Sequence, residues 1–424
     1  MRREGGFFGD LDWLVVFLYF ILVAMGWLNI FASVYDPVQD QSIFDLSLES
    51  GKQLLWIGTA LILITIILLL DFRIYETFAP IFYAITIILL VAVLIFGVKI
   101  NGARAWFEFG SFRLQPAEFT KLTTALILAK YISTTGVKLS DFKTQVISLI
   151  PIVLPIGLII LQPDAGSAMV FSILILPLYR EGFPGIYLLI GLSLATIFIL
   201  TMVLEQQTLF IGVGVLCLIA IILQIKSKGR IFASIAIAAL LCALIFTTSY
   251  IQTEVLKPYQ LSRIEAILKP SSINPQAEGW NLEQSKIAIG SGGFAGKGFL
   301  EGTQTKFGYV PEQSTDFIFS TLAEEHGWLG CAFVIFLFIA LILRLVFIAE
   351  RQKSTFGRFY GYSVASILFF HFTINISMTL GLFPVVGIPL PFFSYGGSSL
   401  WSFTILLFVL LKIDMHRAQV LSRY

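Results

Sequence analysis

Four short polar strings interrupt an otherwise apolar chain, and their residue types suit acid–base chemistry and the binding of a charged substrate. The first string places Glu118 and Lys121 just after Pro116, at the expected start of a helix. An acid in the first turn complements the positive end of the helix dipole, and residues three apart share one helix face. The two residues therefore form a structural ion pair that caps the helix, or they are charged groups that face a cavity, since ionisable residues within spans are functional by default.

Two further carboxylates belong to the second and third strings, and each lies where a loop meets a predicted helix. Asp164, in the string QPDAGSA, follows a tight turn, and capping of the next helix is the favoured interpretation by itself. Asp316, in the string PEQSTDFIF, is either a first-turn helix acid or a general base, because a carboxylate beside an apolar wall becomes more basic. The residues alone leave both alternatives for Asp316 open.

Glycine-rich backbone marks the third string and the fourth. Residues 290–298 would let backbone approach phosphate oxygens, but Gly298 follows Lys297 where a Walker A loop requires Ser or Thr, so that motif is excluded. Between 387 and 399, prolines and glycines break a helix near membrane depth, where irregular backbone is tolerated when it is buried in protein or lines a cavity. We favour the cavity over passive re-entrant packing, and Ser394 and Ser398 would then supply hydroxyls to it.

The composition indicates that the elements that position these strings belong to a membrane protein. Of 424 residues, 57% are hydrophobic and 13% are charged, which leaves too little charge to cover a soluble globule of this length. The formal net charge of +2 argues against a nucleic-acid partner. Three cysteines without a CxxC pair and three scattered histidines predict neither a disulfide framework nor a histidine-based metal centre.

Twelve apolar segments approach the length of about 20 residues that a membrane-spanning helix needs. We therefore predict an all-α, polytopic membrane helix bundle that forms a single integral membrane domain over residues 1–424. The segments are 14–34, 54–70, 78–98, 119–132, 146–161, 168–178, 186–204, 209–223, 231–248, 329–348, 360–380 and 400–411.

The distribution of Lys and Arg predicts the orientation. With both termini in the cytoplasm, the short loops that carry Lys and Arg fall inside, whereas the first external loop, 35–49, carries acids and no Lys or Arg. The long connection at 249–325 is then extracytoplasmic. Because aromatic and aliphatic residues recur through it, we expect a large folded loop with short helices rather than a disordered linker.

Eight strings in a fixed order carry a family resemblance across residues 101–399: GARAW, QPAEFTK, QPDAGSA, QSKIAIGSGG, GKGFLEGTQ, PEQSTDFIF, LAEEHG and PVVGIPLPFFSYGGSS. Together they resemble the SEDS family of polytopic proteins (shape, elongation, division and sporulation). The GTQ and LAEE strings favour its elongation branch over its division branch. Because such proteins typically have ten spans, residues 205–248 read as an inserted helical hairpin, which preserves the orientation of the loop at 249–325.

The resemblance implies peptidoglycan glycosyl transfer outside the cytoplasmic (inner) membrane. Such enzymes polymerise lipid II, an undecaprenyl-diphosphate-linked disaccharide pentapeptide, into β-1,4 glycan strands for cell elongation and rod shape. Asp316 matches the family's essential aspartate, which makes it the predicted general base of an inverting transfer. Glu118 and Lys121 match a family pair near the same cavity, and we expect Lys121 to contact the diphosphate. The other predicted substrate-binding residues are Arg104, Arg263, Lys286, Asp164, Ser394 and Ser398.

The resemblance also implies partners: lipid II and the growing glycan strand, a class B penicillin-binding protein transpeptidase, the elongation machinery and membrane lipid. No cofactor is certain; a divalent cation, Mg or Mn, would suit a diphosphate, but no complete set of metal ligands can be read. Two alternatives stay open. A flippase or transporter of a lipid-linked precursor would use the same broken helix and intramembrane charges. A noncatalytic scaffold for a transpeptidase would tolerate Asn in place of Asp316.

Overall fold

Apolar segments determine where the helices of this chain lie. The computed structural model describes residues 11–36, 42–100, 102–110, 112–224, 227–250, 254 and 279–417. All twelve predicted apolar segments fall on helices, the short sixth being broken between Ser172 and Ile175. In the part of the chain described, nine helices are long and apolar enough to cross a membrane, and shorter apolar helices cover Ala165–Arg180 and Ile186–Thr201.

Two compact units divide the chain, one formed by Met1–Pro184 with Asn281–Tyr424 and the other by Gly185–Trp280. The first unit begins with α1 (Trp13–Val34), α2 (Glu49–Leu69), α3 (Arg73–Thr77) and α4 (Ala79–Phe96). Asp12 caps α1, because its Oδ1 accepts a hydrogen bond from the backbone N–H of Val15 at 3.4 Å. Farther along α1, the buried hydroxyl of Tyr19 lies 2.9 Å from Oγ1 of Thr404.

A three-stranded antiparallel sheet follows α4, and the sequence analysis did not predict it. Its strands are β1 (Val98–Ile100), β2 (Ala103–Phe109) and β3 (Phe112–Leu114), in the order β1-β2-β3. Val98 lies opposite Trp106, and Glu108 lies opposite Arg113, with which it forms an ion pair at 3.1 Å. Glycines at the two turns, Gly102 and Gly110, adopt φ values of 85° and 64° that L side chains avoid.

The sheet leads into the helices α5 (Pro116–Ile132), α6 (Phe142–Ile160), α7 (Ala165–Ser172) and α8 (Ile175–Arg180). Helix α5 is buried on most of its faces, which fits its small and hydroxyl-bearing residues, since these let neighbouring helices approach closely. The hydroxyls of Thr86 on α4 and Thr123 on α5 lie 2.7 Å apart. Helix α5 is therefore one of the central elements of the first unit.

The second unit contains α9 (Ile186–Val203), α10 (Gln206–Leu223) and α11 (Lys228–Tyr250), which pack on one another. Most side chains of α10 and α11 are exposed in this unit, as expected of apolar helices that meet lipid. The predicted insertion at 205–248 covers these two helices. That they are an insertion stays a prediction.

The remaining helices are α12 (Trp280–Ser291), α13 (Thr303–Lys306), α14 (Ile318–Glu350), α15 (Thr355–Thr379) and α16 (Gly397–Met415). Short helices thus occur in the described part of the predicted loop at 249–325. Helices α14 and α15 pack together, as do α16 and α2, and α16 is buried along most of its length. Between α15 and α16 the chain is irregular, as the prolines and glycines predict.

A break at Gly327 divides α14, and the glycine-rich string packs against it. Gly327 has φ 61° and ψ −159°, outside the helical region. A Cβ at Gly296 would lie 2.0 Å from the carbonyl oxygen of Glu325, so only glycine permits this approach. The backbone N–H of Lys297 donates to the carbonyl of Glu324 at 3.0 Å, and that of Trp328 donates to Gly293 at 3.0 Å. The glycines of this string therefore serve contact between backbones.

The side chain of Glu324, which lies in the first part of α14, holds the loop that contains α13. Its carboxylate is fully buried and accepts hydrogen bonds from the backbone N–H groups of Thr303, Gln304 and Thr305 at 2.8, 2.8 and 3.0 Å. Nζ of Lys297 lies 2.6 Å from the same carboxylate. The GTQ string is thereby fixed to α14.

Charged residues join the ends of three helices near both termini. Asp12 pairs with Arg344 at 2.8 Å and with Arg351 at 3.0 Å. Arg351 also pairs with Asp414 near the end of α16, and Arg417 reaches the same carboxylate at 3.2 Å. We call these five residues the terminal cluster; it ties the start of α1 to the ends of α14 and α16.

Candidate active site

Glu118 and Lys121 form a buried ion pair in the first turns of α5. Nζ of Lys121 lies 2.9 Å from each carboxylate oxygen of Glu118, and both side chains are 4% exposed. Ser402 on α16 donates its hydroxyl to Oε2 of Glu118 at 3.0 Å. The ring of Phe403 lies 4.7 Å from Nζ of Lys121, a cation–π distance. The pair is therefore enclosed between α5 and α16.

A histidine that the sequence analysis did not propose as a site residue completes this group. Nε2 of His371, on α15, lies 2.9 Å from Nζ of Lys121, and its Nδ1 lies 3.1 Å from the carbonyl oxygen of Pro389. Because an ammonium donates and a carbonyl accepts, the network assigns the proton to Nδ1 and makes Nε2 an acceptor. We call Glu118, Lys121, His371 and Ser402 the α5 cluster.

All three N–H donors of Lys121 are used within the α5 cluster. Two point at the oxygens of Glu118 and the third at Nε2 of His371. A contact between Lys121 and a diphosphate would therefore have to replace one of these bonds. That contact stays a prediction, and the geometry adds the condition that the cluster must rearrange when the anion binds.

Asp164 caps α7, as its position before a helix predicts. Its Oδ1 accepts from the backbone N–H of Ser167 at 3.0 Å, and its Oδ2 accepts from Nε2 of Gln115 at 2.9 Å. Gln115 is the residue before α5, and its backbone N–H donates to Oγ of Ser398 at 3.3 Å. Asp164 and Ser398 thus both lie at the beginning of α5, close to the α5 cluster.

Asp316 lies two residues before α14, with its side chain partly exposed. Its backbone carbonyl accepts from Nδ2 of Asn375 at 2.9 Å. The same amide donates to the carbonyl of Ile388 at 2.8 Å. One side chain of α15 therefore joins Asp316 to the irregular segment between α15 and α16.

The irregular segment is joined to this loop a second time through Ser394. The hydroxyl of Ser394 donates to the carbonyl of Thr315 at 2.7 Å and accepts from the backbone N–H of Leu390 at 2.8 Å. The backbone N–H of Tyr395 donates to the carbonyl of Ser314 at 2.9 Å. We call residues 312–317 the Asp316 loop and residues 387–396 the broken segment.

Gly387 leaves room for the Asp316 carboxylate. It has φ 70°, and a Cβ at this position would lie 3.3 Å from Oδ2 of Asp316. The residues that follow, Ile388, Leu390 and Phe393, are buried, which meets the requirement that irregular backbone at membrane depth be enclosed by protein. The broken segment thus forms one wall beside the carboxylate.

The two serines predicted to line a cavity make structural contacts in this conformation. Ser394 is 4% exposed and Ser398 is 2% exposed. Ser398 donates to the carbonyl of Arg113 at 2.7 Å, so both hydroxyls bond backbone groups. These contacts match passive packing; a substrate-binding role for either serine stays a prediction.

The remaining predicted ligands that the structure describes, Arg104 and Lys286, are exposed. Arg104, on β2, is exposed and donates from Nη1 to the carbonyl of Leu94 at 3.3 Å. Lys286, on α12, is exposed, and its side chain passes over Gly381, where a Cβ would lie 2.2 Å from Cε of the lysine. Arg263 lies outside the described residues. Within the described ranges, no three His, Cys, Asp or Glu side chains come together to hold a metal ion.

The geometry thus brings seven predicted or newly found polar residues into two linked groups. The α5 cluster gathers near Asp164 and Ser398, and the Asp316 loop contains the partly exposed carboxylate. Helix α15 contacts both groups, through His371 and Asn375. A carboxylate beside an apolar wall is suited to accept a proton, and α15 links it to the buried pair.

A family model described as a cell cycle protein, for FtsW, RodA and SpoVE, matches residues 12–208 and 186–419. The chain belongs to the FtsW/RodA/SpoVE family. Peptidoglycan glycosyltransferase RodA of Treponema pallidum is 32% identical over 440 residues, which cover 98% of this chain and 99% of the relative. Peptidoglycan glycosyltransferase MrdB of Escherichia coli K12 is 35% identical over 363 residues, which cover 85% and 84% of the two chains.

Solved structures confirm the fold of this FtsW/RodA/SpoVE-family protein. A chain from a peptidoglycan synthase complex, studied for the coordination of polymerization and crosslinking, is 28% identical and superposes with a TM-score of 0.71 over 96% of this chain and 99% of its own. An aspartate-to-alanine mutant of the rod shape determining protein RodA of Thermus thermophilus is 26% identical, with a TM-score of 0.63 over 96% and 98% of the two chains. The predicted SEDS membership and polytopic helix bundle are therefore confirmed, and the chain is a multi-pass membrane protein.

Proposed function

We propose that this protein is a peptidoglycan glycosyltransferase that polymerises lipid II into β-1,4 glycan strands during cell elongation. Its family membership and the two relatives named for this activity support the proposal. The observation that carries it is the placement of Asp316. The residue is partly exposed, its carboxylate lies beside Gly387, and its backbone carbonyl is bonded to Asn375 of α15.

Asp316 is the general base in this proposal. It accepts the proton of the 4-hydroxyl of the acceptor GlcNAc while that oxygen attacks the anomeric carbon of the donor sugar. A new C1–O4 bond forms, the bond from C1 to the diphosphate oxygen breaks, and the lipid diphosphate leaves with both bonding electrons. Attack opposite the leaving group inverts the anomeric centre and gives a β linkage.

The α5 cluster is the proposed site that stabilises the diphosphate. Lys121 is the group in this cluster that offers positive charge, and exchange of its bond to His371 or Glu118 would free an N–H for phosphate oxygen. Arg104, Arg263, Lys286, Asp164, Ser394 and Ser398 remain proposed substrate-binding residues. A divalent cation, Mg or Mn, stays a prediction, and no step of this mechanism passes through it.

The proposed orientation places both termini in the cytoplasm and Asp316 outside. The terminal cluster supports it, because Arg344, Arg351 and Arg417 gather near both chain ends, as expected of the cytoplasmic side. Asp12, of the terminal cluster, precedes α1, whereas Asn29 near the other end of α1 donates to the carbonyl of Ile318, two residues after Asp316, at 2.9 Å. The terminal cluster and the Asp316 loop therefore lie at opposite ends of α1.

The proposed partners are a class B penicillin-binding protein, with the wider elongation machinery, the growing glycan strand and membrane lipid. The likeness to a chain from a peptidoglycan synthase complex supports the transpeptidase partner. We expect the complex to polymerise faster than this chain alone. Equal rates would contradict activation by the partner.

The test is polymerisation of lipid II by purified protein with its transpeptidase partner, wild type against Asp316→Asn. Loss of a general base is expected to lower the rate about 10²–10⁴-fold. The matched control is Glu301→Gln, an equal loss of charge at an exposed residue of the connection before α14, which should retain the wild-type rate. Equal polymer from wild type and Asp316→Asn would remove this residue from the chemistry, and transport of labelled lipid II without polymer would favour a flippase.

A further inference from the structure

Two buried polar side chains of α15 connect the α5 cluster to the Asp316 loop. His371 and Asn375 are four residues apart, so they share one helix face, and they are 1% and 0% exposed. His371 contacts Nζ of Lys121 and the carbonyl of Pro389. Asn375 contacts the carbonyls of Asp316 and Ile388. The broken segment is thus held at two consecutive residues, Ile388 and Pro389, from one face of one helix.

Packing alone does not account for these residue types. The residues directly before and after each are Phe370 and Phe372, and Ile374 and Ile376, and an apolar side chain would fill the space without the cost of burying polar groups. Oδ1 of Asn375 is buried without a hydrogen-bond partner among the described residues, so its amide is kept for its two donors. Both donors point at carbonyls of irregular backbone, which lack helical partners.

We propose that His371 and Asn375 are positioning residues that fix the Asp316 carboxylate relative to the Glu118–Lys121 pair. Asn375 holds the backbone of the base itself, and His371 directs the ammonium of Lys121. Because both also hold the broken segment, a shift of α15 would move the two groups together. This inference rests on the proposed glycosyltransferase function, since it assigns Asp316 the role of the base.

Two substitutions of His371 separate its contacts. The amide of Asn reaches about as far as Nδ1 of histidine, so His371→Asn keeps the donor to Pro389 and loses the acceptor for Lys121. The amide of Gln reaches about as far as Nε2, so His371→Gln keeps the acceptor for Lys121 and loses the bond to Pro389. Asn375→Leu has a similar size and removes both donors to the carbonyls of Asp316 and Ile388.

The expected results divide between kcat and KM of lipid II polymerisation by the complex with the transpeptidase. Asn375→Leu should lower kcat about tenfold or more with KM nearly unchanged, because a small displacement of a catalytic group is costly in rate. His371→Asn should mainly raise KM, because the ammonium that contacts the diphosphate is no longer directed. His371→Gln should recover the KM of the wild type.

Hydrogen–deuterium exchange of the same complex without lipid II gives a second readout that is independent of activity. Asn375→Leu should raise exchange in residues 314–317 and 386–391. Tyr360→Phe is the matched control, since Tyr360 lies on α15, is buried, and donates one hydrogen bond to the carbonyl of Leu406 at 3.0 Å. It should change neither exchange in these segments nor kcat.

Two outcomes would overturn the inference. One is unchanged exchange at 314–317 and 386–391 in Asn375→Leu, and the other is a loss of kcat no larger than that of Tyr360→Phe. Polymer from neither wild type nor variants would instead overturn the proposed function, and the exchange result would then still decide whether these residues hold the loop.

Discussion

The α5 cluster and the Asp316 loop differ in how their acidic groups are satisfied. Glu118 is buried and its charge is neutralised within the protein by Lys121 and by the hydroxyl of Ser402. Asp316 is partly exposed and is held through backbone carbonyls, its own and that of Thr315. The bonds of the first group join side chains to one another, whereas Asn375 and Ser394 hold backbone carbonyls of the second group beside a partly exposed residue. In the proposed mechanism the first group binds the diphosphate and the second contains the base.

The largest expected effect follows from removing one partner of the buried pair. Lys121→Met leaves the carboxylate of Glu118 buried without its cation, which should cost about 3–5 kcal/mol of unfolding free energy. The double variant Lys121→Met with Glu118→Gln should recover much of that loss, because no unpaired charge remains. Denaturation of the purified protein in one detergent measures both.

Asp316→Asn should give the opposite result in the same denaturation experiment. Because Asp316 is partly exposed and Asn keeps the backbone bond to Asn375, the loss of unfolding free energy should be well below that of Lys121→Met. A loss near that of Lys121→Met would show that the two acids have equivalent roles, and the contrast between the regions would be wrong.

Gly387→Ala tests the wall beside Asp316. A Cβ in this conformation costs about 1–2 kcal/mol and would crowd Oδ2 of Asp316, so both stability and polymerisation should fall. Gly136 has a similar φ of 87° with open space around it. Gly136→Ala should therefore lose similar stability and retain the polymerisation rate. Equal activity in the two variants would show that the space beside Asp316 is not needed.

Removal of the Ser398 hydroxyl should have an effect of similar size on stability. Ser398→Ala deletes the bond to the carbonyl of Arg113 and the acceptor for the N–H of Gln115, which should cost about 1–3 kcal/mol. If Ser398 also binds substrate, KM for lipid II should rise as well. An unchanged KM in a stable preparation would leave Ser398 with its packing role alone.

The smallest expected effect concerns Asp12, an acid of the terminal cluster that is paired with Arg344 and Arg351. Burial raises the pKa of Asp12, but hydrogen bonds and charge from Arg344, with Arg351, outweigh burial and hold that pKa below its ordinary value. The contribution of Asp12 to stability is then fully present above its unfolded pKa of about 3.9 and is lost as pH falls through the lower folded value. Unfolding temperatures of wild type and Asp12→Asn should converge only below about pH 4. Convergence between pH 5 and 8 would contradict this pairing.

Hydropathy was sufficient to predict where the apolar helices lie, because a span must form its backbone hydrogen bonds within itself. The sheet at 98–114 was missed, since its strands are short and the sequence analysis read its polar string for chemistry alone. The break at Gly327 was also missed, because it depends on contact with Gly296, 31 positions away in the printed sequence. Such contacts between distant backbones leave no periodic pattern.

The site could be predicted only in part. Asp164 as a helix cap and the proximity of Glu118 to Lys121 follow from local spacing. His371 and Asn375 were missed, although two polar residues at i and i+4 in an apolar span are a signal that could have found them. The use of all three N–H donors of Lys121 was not predictable, because the third acceptor, His371, comes from α15.

The carboxylate of Glu324 occupies a site at the GTQ string that resembles an anion-binding site. Three successive N–H groups and a lysine converge there, as they do where proteins capture phosphate. Here the protein supplies the anion itself, so the receptor and its counter-ion belong to one chain. A free phosphate or a nucleotide would have to displace a tethered competitor whose local concentration never falls. These N–H groups therefore hold the loop onto α14 instead of binding a ligand.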